Sequence, residues 1–319
     1  MELLSWSGPR RLRRGGIVRK VANLLIDTAW LDIGLPLATH RTRRDVLMMP
    51  VNLTSARTPV PQVVTIHDVN FLEVPGSYDV AYARYAGAMF KASARRAAAI
   101  TTVSEFSRDR IAQRLGVDPA RIAVVYPGLD PVRPTSATVA PWPRPYALYV
   151  GATEPHKDVP SLIDAWRDLT DSDVDLVIVG QPGRDHERVI ARARALGGRV
   201  HVTGRVSEDA LEAWYAHARV FVFPSRTEGF GYPPLEAMQR GIPVVACSAT
   251  CLPEVLGDAA LFHQPGASAE IAEQVGRILS DDRLAQQLAR AGREVSARYT
   301  WPRAAAAMAE ILRRAAAGS

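Results

Sequence analysis

The chain has 319 residues, 47% of them hydrophobic, and a formal charge of +6. That length suits two domains of about 150 residues, each with a full core. Two cysteines are too few to staple such a chain, which excludes a disulfide scaffold and favours a reducing compartment.

The basic residues are unevenly spread. Arg10, Arg11, Arg13, Arg14, Arg19 and Lys20 face only Glu2 in the first twenty positions. Asn23, Asp27 and Asp32 interrupt the apolar stretch from Ala22 to Ala38, so it suits neither an export signal nor a membrane span, and a cytoplasmic protein is expected. A basic face before an amphipathic helix fits peripheral contact with an anionic membrane at its inner face, or an acidic lipid-linked acceptor. Arginine-rich ends also simply stay solvated. Nucleic acid is not expected as a partner, because no aromatic-interleaved basic stripe accompanies the charge.

Short apolar runs at Val46–Met49, Val63–Ile66, Ile100–Val103 and Ile122–Val125 then alternate with helical patterns at Tyr78–Ala98 and Glu105–Leu115. This alternation predicts an α/β domain with a parallel sheet over residues 1–130. Prolines 131, 134, 141, 143 and 145 mark a linker over 131–145. Alternation resumes over 146–300, with strands at Tyr146–Val150, Asp175–Val179, Arg199–Val202, Val220–Phe223 and Val244–Ala246. Helices fall near Val159–Leu169, Asp185–Leu196 and Ser207–His217. A last helix, 301–319, follows the joint at Trp301 and Pro302. Each domain should bind ligand beyond the carboxyl ends of its strands. No G-x-G-x-x-G follows a strand, which counts against a nicotinamide enzyme.

The densest chemistry lies in VFVFPSRTEGFGYPPLEAMQRGIPVVA, Val220 to Ala246. A buried strand runs into a turn with Gly229 and Gly231, and a helix starts after Phe230 with Pro233 and Pro234 in its first turn. Free amides there suit a phosphate, and the glycines permit close approach. Glu228 and Glu236 flank that anion site, and each carboxylate can hold a vicinal diol. A nucleotide sugar has a diol at either end of its pyrophosphate. Lys157, in the turn that starts at Gly151 and runs through Thr153 and His156, can bring a fixed cation to the same cleft. Asp171-Ser172-Asp173 matches a metal motif in letters but reads as a surface turn, so no metal or other cofactor is expected. Cys247 and Cys251 read as packing residues. Ser104 and Glu105 read as a helix cap with a favourable charge in the first turn.

With VTIHDVNFLEVP, TTVSEFSRDRI, VVYPGLD, YVGATEPHKD, HVTGRVSEDAL and LPEVLGDAALF in order, this loop resembles the retaining glycosyltransferases of family 4, over roughly residues 45 to 305. The nearest flavour is the bacterial mannosyltransferase-like branch. The resemblance implies two Rossmann-like domains in the GT-B arrangement, a last helix that crosses back, and hexose transfer with retention, GDP-mannose being the preferred donor. The acceptor would be a glycan or a lipid-linked sugar. Glu236 would hold the ribose and Glu228 the donor sugar; Val206 would lodge the base; Gly151, Thr153, His156, Lys157, Gly229, Phe230 and Gly231 would line the donor site. His67, with Asp68 beside it, would face the donor sugar from the first domain.

Two departures stand out. His156 occupies a place where the family usually has arginine, which would make donor binding pH-dependent if the imidazole substitutes as the cation. A first strand and glycine turn are also expected to be missing, since only Gly15 and Gly16 offer a turn and no apolar strand precedes them. That leaves a rival reading, a catalytically weak nucleotide-sugar-binding or scaffold relative. An epimerase of the same shape fits the fold but not the Glu228–Glu236 segment.

Overall fold

A computed structural model describes residues 29–42, 44–73, 80–133, 140–169 and 173–318. The basic start, Gly15, Gly16 and the question of a missing first unit lie outside the described residues, as do Asp171 and Ser172.

Two parallel sheets organise the chain. In the first, β1 (Leu47–Met49), β2 (Gln62–Thr65), β3 (Ala99–Thr102) and β4 (Ile122–Val124) lie side by side in chain order. Helix α1 (Leu35–Thr42) precedes them, and α2 (Val80–Arg96) and α3 (Glu105–Leu115) form crossovers. Every residue of β2 is buried, as a parallel strand covered on both faces requires. Ser104 caps α3 by accepting the Ser107 amide, and Gly116 ends it in the left-handed region at φ 65°.

The second sheet contains β5 (Tyr146–Val150), β6 (Asp175–Val179), β7 (Val200–Gly204), β8 (Val220–Phe223), β9 (Val244–Cys247) and β10 (Ala260–His263). Its order is β10-β9-β8-β5-β6-β7. Its helices are α4 (Val159–Asp168), α5 (His186–Arg194), α6 (Glu208–Ala216), α7 (Tyr232–Gln239), α8 (Leu252–Leu256), α9 (Ser268–Ser280) and α10 (Asp282–Ser296). Strand β10 has no counterpart in the sequence reading. Only Ala260, Leu261 and Phe262 form its apolar run, too short to separate from the helix before it.

Strand order reverses between β5 and β8. The chain moves outward from β5 to β7, then returns to β8 on the other side of β5. Loops leaving the carboxyl ends of β5 and β8 therefore part around a crevice, the usual ligand position in such sheets.

Helix α11 (Trp301–Ala317) crosses back to pack on β2. The two crossings between domains are joined: Leu129 N–H donates to Tyr299 O at 3.0 Å, and Trp301 Nε1 donates to Asp130 Oδ1 at 2.7 Å. A Cβ on Gly128 would fall 2.2 Å from Trp301 N, so only glycine fits that approach. Edge-on aromatic contacts continue the joint from Tyr126 to Tyr299 and on to Phe230, at ring separations of 5.8 and 5.3 Å.

Candidate active site

Strand β5 ends beside β6 with almost no clearance. A Cβ on Gly180 would lie 1.9 Å from Gly151 O, so the two strand exits touch through backbone. Thr153 is bonded to the loop after β6. It is buried, its hydroxyl accepts the Gly183 amide at 2.8 Å, and its own N–H and C=O are taken by Gln181 and Asp185. It holds the loop after β6 in place, with its hydroxyl also 3.4 Å from His186 Nδ1.

A 3-10 turn, Pro155–Lys157, then leads to Asp158, which adopts φ 49° although it is not glycine. Its carboxylate secures that conformation by accepting Arg226 Nε at 2.8 Å and Ser161 Oγ at 2.9 Å. The Arg226 amide donates to His156 O at 2.9 Å, tying this turn to the loop after β8. The Lys157 ammonium is thereby aimed across the crevice, where it pairs with the Glu228 carboxylate. Side-chain exposures of 18% and 14% place the pair well below the surface, so loss of either partner strands a half-buried charge. The ammonium also lies 5.5 Å from the centre of the Phe223 ring.

The turn after Glu228 is held from behind. The Glu228 amide donates to Thr250 Oγ1 at 3.2 Å and the Cys251 thiol donates to Glu228 O at 3.3 Å. Both cysteines are buried, and burial pushes the Cys247 thiol up to about 12 and the Cys251 thiol higher, which makes them packing groups. Gly231 turns through φ 88°, where a Cβ would meet Leu252 Cδ2 at 2.7 Å. Among the described residues no acceptor takes the amide protons of Gly229, Phe230 or Gly231. They gather at the amino end of α7 and form a partial positive charge.

Glu236 stands one turn into α7. The Tyr215 phenol donates to its Oε2 at 3.0 Å, and Arg240 lies over the Tyr215 ring at 4.6 Å while gripping Glu212 with two nitrogens. Burial pushes the Glu236 carboxyl above its usual range, against the pull of the Tyr215 bond and Arg240. A cavity of about 270 Å³ opens beside it, lined also by Asp130, Leu211, Tyr232 and Trp301. Val206 follows β7 and packs against the larger core, half-buried.

The first domain approaches at Gly229, where a Cβ would sit 3.2 Å from His67 O and 3.3 Å from Asp68 Cβ. The His67 ring is exposed, with Nε2 3.2 Å from Pro50 O. Burial pushes the Asp68 carboxyl up, while the Asn70 amide, at 2.9 Å, pulls it down. Glu228 and His156 also act on that carboxyl, so both domains meet around Glu228. Without ligand, His156 is not a cation. Burial, and then the Lys157 charge, lower its pKa, so it is neutral at pH 7.

Residues 137–295 match the model of Glycosyl transferases group 1, and residues 9–133 match that of Glycosyltransferase Family 4. The chain belongs to the family 4 glycosyltransferases. O-antigen chain mannosyltransferase B of Escherichia coli is 31% identical over 255 residues, covering 75% of this chain and 66% of that protein. A D-inositol 3-phosphate glycosyltransferase of Xylanimonas cellulosilytica is 30% identical over 291 residues, covering 82% of this chain and 68% of that one. The family 4 chain thus spans just under two thirds of the length of the first relative. Sucrose-phosphate synthase from Thermosynechococcus elongatus shares the fold, with a TM-score of 0.74, 22% identity, and coverage of 89% of this chain and 76% of that chain. The two sheets accordingly form a GT-B arrangement.

Sequence reasoning missed Tyr215 and Arg240. Tyr215 and Glu236 sit on different helices, and nothing in either segment points to the other.

Proposed function

We propose that this protein transfers a hexose from a nucleotide sugar to a glycan or lipid-linked acceptor with retention of configuration, mannose from GDP-mannose being the first choice. The observation that carries the reading is the row of free amides at Gly229–Gly231, flanked by Glu228 and Glu236, at the point where the strand order reverses. The name of the Escherichia coli relative supports mannose. In this reading Glu236 holds the ribose beside the 270 Å³ cavity, with Val206 near the base. Lys157 and the amides of Gly229, Phe230 and Gly231 neutralise the departing diphosphate without a metal. Glu228, with His67 and Asp68 opposite, faces the sugar. The leaving phosphate takes the acceptor's proton on the same face, so no protein nucleophile is needed. The protein works in the cytoplasm, at the inner face of the membrane, where an anionic surface meets its basic start; among the described residues no helix is long and apolar enough to cross a membrane.

The test is a thermal-shift panel of GDP-mannose, UDP-glucose, GDP and UDP on the wild type and on Glu236→Ala. Ligand at a hundred times its dissociation constant stabilises the native state by about 2.7 kcal/mol. A shift with one donor that vanishes in the variant supports the site and identifies the base. No shift with any donor sinks the proposal and favours a scaffold role.

A further inference from the structure

The donor turn is also bonded to the first domain, through groups that the proposed chemistry does not use. Glu254, on the short helix α8, faces the amino end of α3. One carboxylate oxygen accepts the Glu105 amide at 2.7 Å and the Tyr126 hydroxyl at 2.8 Å; the other accepts the Phe106 amide at 2.9 Å. First-turn amides have no partner within their own helix, and a carboxylate there satisfies them and complements the helix dipole. From the same turn, the Ser104 hydroxyl donates to Gly229 O at 2.8 Å and the Ser107 hydroxyl reaches that oxygen at 3.3 Å. Both serines are almost wholly buried. The carbonyl one residue after Glu228 is therefore held by α3, and α3 is held by Glu254.

We propose that Glu254 is a positioning residue. Its carboxylate seats α3 against the donor domain, and α3 in turn fixes the Gly229 carbonyl, so that Glu228 takes its working geometry only while the two domains are bonded in this way. This rests on the donor-site reading above.

The test compares Glu254→Ala, Glu254→Gln and Tyr126→Phe in the full chain. Hydrogen exchange is read at the amides of Glu105, Phe106 and Glu228, beside donor turnover and affinity for GDP. In Glu254→Ala these amides should exchange about tenfold faster or more, and turnover should fall by a similar factor. Affinity for GDP should stay within about threefold, because Glu236 and Lys157 sit wholly in the donor domain. Glu254→Gln keeps one good acceptor and should fall between; Tyr126→Phe should have the smallest effect and add little to Glu254→Ala. Unchanged exchange in Glu254→Ala would overturn the proposal, as would turnover and GDP affinity falling in step. Should the wild type bind no nucleotide sugar, the functional reading fails by itself, and exchange at Glu228 in Glu254→Ala still decides the present inference.

Discussion

Glu228 and Glu236 stand at the two ends of one turn, and the molecule holds them in different ways. Glu236 depends on the donor domain alone: Tyr215 from α6 bonds its carboxylate, and Arg240 from the end of its own helix braces Tyr215. Glu228 depends on both domains. Lys157 pairs with it from one side, Asp68 lies within electrostatic reach on the other, and the next carbonyl is bonded to Ser104. The difference separates two tasks. Under the proposed function, nucleotide recognition would need one domain, whereas the sugar end would be complete only when the first domain is in place.

Replacing Glu228 by glutamine tests that separation most severely. If the carboxylate stabilises charge developing at the sugar, turnover should drop by roughly 10²–10³-fold, the scale for removing one preorganised electrostatic partner. Affinity for GDP should change only a few-fold. Equal losses in both, measured by steady-state kinetics and calorimetry, would erase the distinction between the two ends.

The opposite pattern is expected at the other end. Glu236→Ala should weaken GDP binding by about 1–3 kcal/mol, the range for losing hydrogen bonds to a charged group. Tyr215→Phe leaves the carboxylate but removes its brace, and should cost about 0.5–1.5 kcal/mol in the same titration. An undiminished affinity in Glu236→Ala would move the ribose elsewhere.

Much of the fold around this candidate site was legible in the sequence, for definite reasons. Apolar runs that stop at glycine or proline place β5, β6 and β8 to the residue, and the Glu228–Glu236 turn carries its candidate groups in one short segment. Contacts between distant segments were not legible. Ser104 meets Gly229 across 125 positions, and Glu254 meets Glu105 across 149. Ser104 satisfies a local rule as a helix cap, and the same hydroxyl spends its proton on the other domain. Local chemistry accounts for the first bond and is silent on the second. Thr153 shows the same silence: its position in the turn was legible, but the bond its hydroxyl accepts from the Gly183 amide, thirty positions on, was not.

His156 gives the smallest predicted effect and sharpens the comparison at the phosphates between the two ends. Burial and Lys157 hold its imidazole neutral at pH 7 in the free protein. A diphosphate placed beside it favours the charged form, so the complex takes up a proton that the free protein lacks. GDP affinity should therefore rise as pH falls through the imidazole's pKa in the complex, and level off below its pKa in the free protein. His156→Arg carries a permanent charge and should bind GDP more tightly at pH 7, by less than about tenfold, with that part of the pH dependence removed. Glu236 works against the trend, because its carboxyl is already raised by burial and loses its charge on further acidification. The measurement is thus a difference between the two proteins across the same pH series. Parallel curves would place His156 away from the phosphates and leave Lys157 and the turn amides to hold the anion.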